Sequence, residues 1–452
     1  MNKGLLTIAL ATAILLIHHP LPASPPLTLD PGHAYTFDEL LALGQAHNTG
    51  LRESALAVEG LQWERLEAWG RLMPTLTAGS SYGRSERNVI TYEDANGEVK
   101  ELPDAQTYRA TSSHLSLNLR QTLFAGFANT AAVRRALLAR QDVLGEDSRQ
   151  QQQFRHDLSK TAHAVLASQS RQATEQTLLE DRLRQLELAR MRLQVGKGTE
   201  LEVLQMEIDV GRQQVNVAAA DQDLRSSWDA LSLLLGAEPG PPGRLEMDFE
   251  VFQPAWRQEA LINEALDSRE EVQRGRRSLE QARLQTVEAR AGFMPSLNLQ
   301  LGHSRSEQRS EPEAWKPFPR NYDNSAALSL QLPLFQGFAT VNAWQSSRIN
   351  ERRLALAHDQ LEREVRAQIR EAVLRLEAAW SQSRMTESNL ELARRSLALE
   401  RERYRLGLAS LLQVQSAEAT WHQAENDHLA QRLAFRDRLA ELELAVGRDL
   451  TR

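Results

Sequence analysis

Residues Leu123–Ala128 read LFAGFA, and residues Leu334–Ala339 read LFQGFA. They differ only at Ala125 against Gln336, and their first phenylalanines, Phe124 and Phe335, stand 211 residues apart. That offset persists downstream. Leu117 and Leu119 fall on Leu328 and Leu330, and Gly196 falls on Gly407. Leu201, Val203 and Glu207 fall on Leu412, Val414 and Glu418, and Gly236 on Gly447. A constant offset is what a long helix requires, because one inserted residue rotates every later side chain off its face. Repetition of this kind decides architecture before any local feature does.

Upstream the offset changes. RLMPTLTAGSSYGRSE (Arg71–Glu86) matches GFMPSLNLQLGHSRSE (Gly292–Glu307), with Pro74 and Pro295 separated by 221 residues. The first copy therefore carries ten more residues between its proline and its Leu-Phe, and this excess is expected to form a loop. Each copy opens with a helix-like segment, about Phe37–Leu72 and Ala255–Ala291. Each such segment should stop at the Met-Pro, since the residue before proline disfavours helix. Two alternating segments follow around a polar loop, then a very long helical pattern broken once at a glycine. The reading is a leader at 1–23 and a first repeat at 24–236, with a β-hairpin at about 75–123. GAEPGPPGR (Gly236–Arg244) separates the copies and reads as turn-rich, and the linker is placed at 237–254. The second repeat spans 255–447, with a hairpin at about 296–334, and a tail covers 448–452.

Composition agrees with long helices more than with a compact core. Aromatics make up 6% of the 452 residues, and the mean hydropathy is −0.47. A net charge of −7 gives no footprint for nucleic acid. With no cysteine, thiol catalysis, thiolate metal sites, disulfides and a cysteine lipid anchor are excluded. Lys3, the apolar run Gly4–Ile17 and Ala23 have the order of a secretory signal peptide, which contains His18 and His19. No later stretch is long and apolar enough for a spanning helix, so any membrane segment must be made of strands.

Strand periodicity is plain in Leu297, Leu299 and Leu301, in Leu115, Leu117 and Leu119, and in Ala326, Leu328, Leu330 and Leu332. Leu76, Ala78, Ser80 and Tyr82 follow it more weakly. A soluble half-buried hairpin would show the same alternation. Segment lengths of about ten residues, the export signal and the aromatics favour an outer-membrane barrel. Phe124, Phe127, Phe335 and Phe338 lie at one end, and Tyr92, Tyr108, Trp315, Phe318 and Tyr322 at the other. Four strands cannot close a barrel, so chains must pool them: two copies would supply eight and three would supply twelve.

Between Asn129 and Val195 there is no proline and one glycine, Gly145. A helix of that length extends roughly 100 Å. Its second-copy equivalent carries two heptad stripes, Leu390, Leu397, Tyr404 and Leu392, Leu399, Leu406. Two stripes imply coiled-coil partners on two sides. The breaks read LQVGKGTELEVL (Leu193–Leu204) and YRLGLASLLQVQ (Tyr404–Gln415). Gly196 and Gly407 suit helix C-caps, Thr199 and Ser410 suit N-caps, and Glu202 completes a capping box. At the other joint, Gly126 and Gly337 permit a bend, and Asn129 and Thr340 are placed to cap the next helix.

No catalytic constellation or cofactor motif is found. His422, Glu425 and His428 turn too far around a helix to share an ion, and His156 and His163 stand two turns apart. Gly196–Gly198 (GKG) follows no strand and is no phosphate loop.

The order and duplication of these features resemble the TolC family of outer-membrane efflux proteins. The carriers are LRQTLFAGF, LPLFQGF and YRLGLASLLQVQSAE, and the likeness covers nearly the whole chain after the leader. It implies a mainly α fold with a transmembrane β-barrel. Four strands per protomer would be shared across a homotrimer, continuous with a coiled-coil helical barrel in the periplasm. It implies a passive export duct in the outer membrane that meets a periplasmic adaptor and an inner-membrane pump. Two alternatives are a duct for type I protein secretion and a periplasmic coiled-coil adaptor. The resemblance places the periplasmic gate at the glycine turns, where Tyr404 matches the family's tyrosine and Glu202 an acidic position. Ala409 stands where arginine is usual, and Gln413 and Ser416 where aspartates are. Gating is therefore expected from Leu408, Leu411 and Leu412, with Glu200 or Glu202 as a negative ring.

Overall fold

The computed structural model describes residues 27–450 except 94, 248–249, 310–320 and 407, so the leader and Gly407 lie outside the described residues. In chain order the elements begin with β1 (Ala34–Tyr35), α1 (Phe37–His47), α2 (Thr49–Gly70), β2 (Thr75–Glu93) and β3 (Val99–Ala125). Next come α3 (Ala128–Gln194), α4 (Glu200–Leu235), β4 (Arg244–Leu245), α5 (Gln258–Ser268) and α6 (Glu270–Ala291). The chain ends with β5 (Ser296–Arg309), β6 (Asn321–Gln331), α7 (Ala339–Arg405) and α8 (Leu411–Val446). Helix lengths recur in the two halves: 11 and 22 residues for α1–α2 and again for α5–α6. They are 67 and 36 residues for α3–α4 and again for α7–α8.

The chain divides into two compact units. One comprises 27–52, Gln153–Pro254 and Arg375–Glu441. Its core gathers Leu40, Leu158, Val165, Leu231 and Leu235 around Trp228, all fully buried. Removing a side chain of that size from water contributes roughly 1.5–3 kcal/mol each. Tyr35 and Leu245 belong to the same core, because β1 and β4 pair in parallel, Ala34 with Arg244 and Tyr35 with Leu245. The segment read as a linker is therefore partly core: Ala237 and Leu245 are buried and Ala237 bridges Leu27.

The other unit comprises Glu53–Gln152, Ala255–Leu374 and 442–450, and holds an antiparallel sheet in the order β2-β3-β5-β6. The register lines up Leu76, Leu119, Leu301 and Ala326 in one row. The adjacent row is Thr77, Asn118, Gly302 and Ser325. Since successive residues point to opposite faces, one face is apolar and the other small and polar. Among the described residues, β2 and β6 are the free edges.

Three sequence expectations are corrected. Each leading helix is two helices, interrupted by one extended residue, Asn48 (φ −59, ψ 127) or Arg269 (φ −65, ψ 124). No proline lies at either break, and Gly50 falls inside α2, after Asn48. Tertiary partners hold them: the Asn48 side chain caps Leu51 N at 2.9 Å and donates to Leu234 O at 2.7 Å. Arg269 donates to Gln368 Oε1 at 2.8 Å. Second, the ten extra residues lengthen strands instead of forming a loop. β2 and β3 have 19 and 27 residues and turn at 95–98. Their register slips between Val89 and Thr91, opposite the stretch containing Pro103, which cannot donate to a ladder. Third, β6 stops at Gln331 while β3 runs to Ala125. Pro333, where the first copy has Thr122, removes the N–H that would continue the ladder.

Gly145, the lone glycine of α3, has a packing reason. The Glu270 carboxylate occupies the space a Cβ there would take. Glu270 pairs with Arg277, whose Nε donates to Asp142 Oδ1 at 2.6 Å. Burial opposes the charge on Arg277, but the bonds to Asp142 and Glu270 outweigh it and raise the guanidinium pKa. Gly145→Ala should cost about 1–3 kcal/mol by overpacking. In a double-mutant cycle by thermal denaturation, Glu270→Ala should relieve that cost. Strict additivity of the two changes would refute the collision.

Candidate functional site: the helix turns and the sheet-to-helix joints

The turn between α3 and α4 is closed by a Schellman motif. Gly196 adopts φ +71, Gly196 N donates to Leu193 O at 3.0 Å, and Lys197 N donates to Arg192 O at 2.8 Å. In the second turn Leu408 N donates to Arg403 O at 2.8 Å, the equivalent of the Lys197 bond. Each return helix then starts from a reciprocal cap. Thr199 N donates to Glu202 Oε2 and Glu202 N to Thr199 Oγ1, both at 3.3 Å. Ser410 N donates to Gln413 Oε1 at 2.8 Å and Gln413 N to Ser410 Oγ at 3.4 Å. Gln413, singled out as a departure from an aspartate pattern, is thus the second copy's capping-box residue.

Glu200 and Glu202 are exposed in the first turn of α4. Negative charge at a helix start is favoured by the backbone dipole as well as by any gating role. Leu408 and Leu412 are 68% and 74% exposed among the described residues. Tyr404 is 37% exposed, and the side chain of Leu411 lies outside the described residues. Above each turn the two helices are joined by an ion pair: Arg190 to Glu207 at 2.6 Å, and Arg401 to Glu418 at 2.9 Å. These arginines fall 211 residues apart in sequence. Sequence reasoning found the glutamates but missed their partners, although the same offset marks them.

The order of the long helices follows from contacts within the first unit. α3 meets α4 through Arg190–Glu207 and Gln172–Asp221. It meets α8 through His163 Nδ1 and Asp437 Oδ1, 2.6 Å apart, and through Gln185 and Gln415 at 3.3 Å. α8 meets α7 through Arg401–Glu418. The order is α4–α3–α8–α7, with α4 and α7 outermost. On α7, Leu397 is buried and Leu390 half-buried, whereas Met385, Leu392 and Leu399, and Leu406 just past its end, are 60–66% exposed. On α4, Leu201, Ile208 and Val215 are 62–68% exposed. Both exposed stripes repeat every seven residues, so each outermost helix presents a coiled-coil seam without a partner among the described residues.

At the joints, Gly126 and Gly337 both have φ +58, and Phe127 and Phe338 follow with φ +70 and +65. A left-handed residue with a side chain costs roughly 1–2 kcal/mol. Sequence offered no hint that phenylalanine would take that role. The rings partly explain it: Phe124 meets Phe127 edge-on at 5.4 Å, and Phe335 meets Phe338 edge-on at 5.5 Å. A Cβ on Gly126 would also press on Met294 and Ala291, whereas Gly337 stands in open space. The expected caps are corrected. α3 and α7 begin at Ala128 and Ala339, one residue before Asn129 and Thr340, which lie inside the first turn. The Thr340 hydroxyl donates to Gln336 Oε1 at 2.6 Å, and Thr130 donates to Phe127 O at 2.8 Å.

Among the described residues no group of three or more His, Cys, Asp or Glu side chains is placed to hold a metal ion. His163 Nδ1 lies 2.6 Å from Asp437 Oδ1, whereas His422 Nδ1 lies 3.7 Å from Glu425, beyond hydrogen-bond reach. No helix among them is long and apolar enough to cross a membrane.

The model of one family, described as outer membrane efflux protein, matches residues 40–237 and 261–448, one match per half of the chain. The chain belongs to that family. The outer membrane efflux proteins are channel proteins, and the family places this chain in the outer membrane with its helical part in the periplasm. Protein CyaE of Bordetella pertussis is 26% identical over 274 residues, 58% of this chain. That match spans only 56% of the Bordetella protein. Alkaline protease secretion protein AprF of Pseudomonas aeruginosa is 26% identical over 376 residues, 79% of this chain and 73% of AprF. Outer membrane protein VceC of Vibrio cholerae has the same fold: TM-score 0.70 at 18% identity, over 91% of this chain and 96% of VceC.

Thr199→Ala should cost about 0.5–2 kcal/mol locally. Faster amide hydrogen exchange in the first turn of α4 would report it. Glu202→Gln, which copies the Gln413 arrangement, should leave exchange there nearly unchanged.

Proposed function

We propose that three copies of this chain form a passive export duct. Its four-stranded sheets would close a shared twelve-stranded barrel in the outer membrane, and its long helices would form a periplasmic tunnel. A periplasmic adaptor and an inner-membrane pump are the proposed partners. The observation that carries this reading is the pair of exposed seams on α4 and α7. They are the outermost helices of the chain, and each seam is apolar at heptad spacing. A ring of copies covers both by setting α7 of one chain against α4 of the next. The free edges β2 and β6 support the same closure, since open sheet edges are not viable in lipid.

The repeat supplies a register. Contacting residues of α3 and α8 have numbers that add to 600, 163 with 437 and 185 with 415. Shifting the first helix by +211 and the second by −211 maps α3 with α8 onto α7 with α4 of the next copy, and leaves that total unchanged. Leu399 then faces Leu201, Leu392 faces Ile208, and Met385 faces Val215. Because the chain has no native cysteine, Leu201→Cys with Leu399→Cys should give a reducible covalent trimer on mild oxidation. The pair Leu201→Cys with Leu406→Cys, one heptad out of register, should not. A protein recovered as a soluble monomer would sink the duct reading altogether.

Glu202→Gln tests the gate separately, because glutamine keeps the cap. It should weaken cation preference in planar-bilayer recordings, and unchanged selectivity would leave Glu202 with capping alone. A second cargo reading, protein secretion, is favoured by the likeness to the alkaline protease secretion protein. Deletion should raise sensitivity to small toxic compounds with an unchanged set of secreted proteins if small molecules are the cargo. Loss of a secreted protein with unchanged sensitivity would select the second reading.

A further inference from the structure

The apolar face of the sheet changes character within two rows. Moving away from the α3 joint, Phe124, Leu297 and Leu330 make one row, and Leu119, Leu301 and Ala326 the second row beyond it on that face. Next on the same face come Leu117, His303 and Asn324, and then Leu115, Arg305 and Tyr322. His303 Nδ1 lies 2.7 Å from Asn324 Oδ1, and its ring stacks with Tyr322. Arg305 is half-buried and has no hydrogen bond or ion pair among the described residues. The acidic side chains nearby are not opposed to it. Asp323 lies on the polar face, opposite Ser304, and Glu307 already has a contact of its own.

An uncompensated guanidinium beside a leucine row is an unusual arrangement for a sheet facing only water or only hydrocarbon. In lipid it needs an anion, and it must find one at the level where the leucines end. A dissolved phosphate would satisfy the charge and leave Leu115, Leu117 and Leu301 bare. A lipid satisfies both, with acyl chains on the leucines and phosphate on the arginine, whose fork matches phosphate geometry. We propose that Arg305, flanked by Tyr322 and His303, binds the phosphate of an anionic lipid headgroup at the membrane rim of the sheet. Arg84 of β2, exposed on the same face and also without an ion pair among the described residues, extends the basic rim. This site rests on the barrel reading given above.

The test uses the full-length trimer in detergent, with diphosphorylated lipid A as the probe and native mass spectrometry as the readout. Wild-type protein should retain lipid A, and Arg305→Gln should retain it roughly tenfold less well while still running as a trimer. Arg305→Lys, which keeps charge without the fork, should fall between them. Arg87→Gln, on the polar face of β2, should match wild type. Equal retention by Arg305→Gln overturns the site, as does equal retention of dephosphorylated lipid A. Displacement of lipid A by excess inorganic phosphate alone overturns the choice of a lipid. A trimer from the outer-membrane fraction that takes up no lipid A overturns this site only, whereas a monomeric protein overturns the barrel reading with it.

Discussion

Every backbone N–H and C=O in a bilayer must be satisfied by protein, because hydrocarbon offers no hydrogen bonds and each orphan group costs several kcal/mol. Among its described residues this chain has a sheet with two unpaired edges, β2 and β6, and no helix long and apolar enough to cross a membrane. On the proposed barrel reading, a sheet that does not close alone calls for an assembly, and that assembly would cover apolar seams on α4 and α7 that are liabilities on a monomer.

The same economy appears at the turns and joints. Many of the polar groups at these turns are occupied by local structure. Glu202 and Gln413 close capping boxes, and the nearby arginines pair along or between adjacent helices. Among the described residues, the apolar side chains left exposed at these turns include Leu201, Leu408 and Leu412. At the joints, strain is concentrated in a Gly-Phe pair used twice, and an aromatic contact offsets part of its cost.

Much of the architecture was legible because a long helix cannot tolerate a slipped offset. The 211-residue spacing located α3 against α7 and α4 against α8. Proline and glycine located the strand starts and the Schellman turn at Gly196. The misses share a cause. The breaks at Asn48 and Arg269 depend on Leu234 and Gln368, residues 186 and 99 positions away, so no local pattern announces them. The strand lengths depend on pairing: β2 and β3 extend because each has the other as a partner. The parallel bridge of β1 to β4 turned a linker into core for the same reason.

By itself, then, the sequence determined the repeat, the extent of the long helix α3, the alternation of the strands and the two capped turns. These are properties of local stereochemistry and period, and a single chain carries them whatever its neighbours do. Only the tertiary structure decided which helices lie outermost and which heptad stripe stays bare. It also decided that Phe127 and Phe338 adopt left-handed backbones and which residues share a face with Arg305. These depend on contacts between residues far apart in the chain, where the free energy of packing overrides local preference.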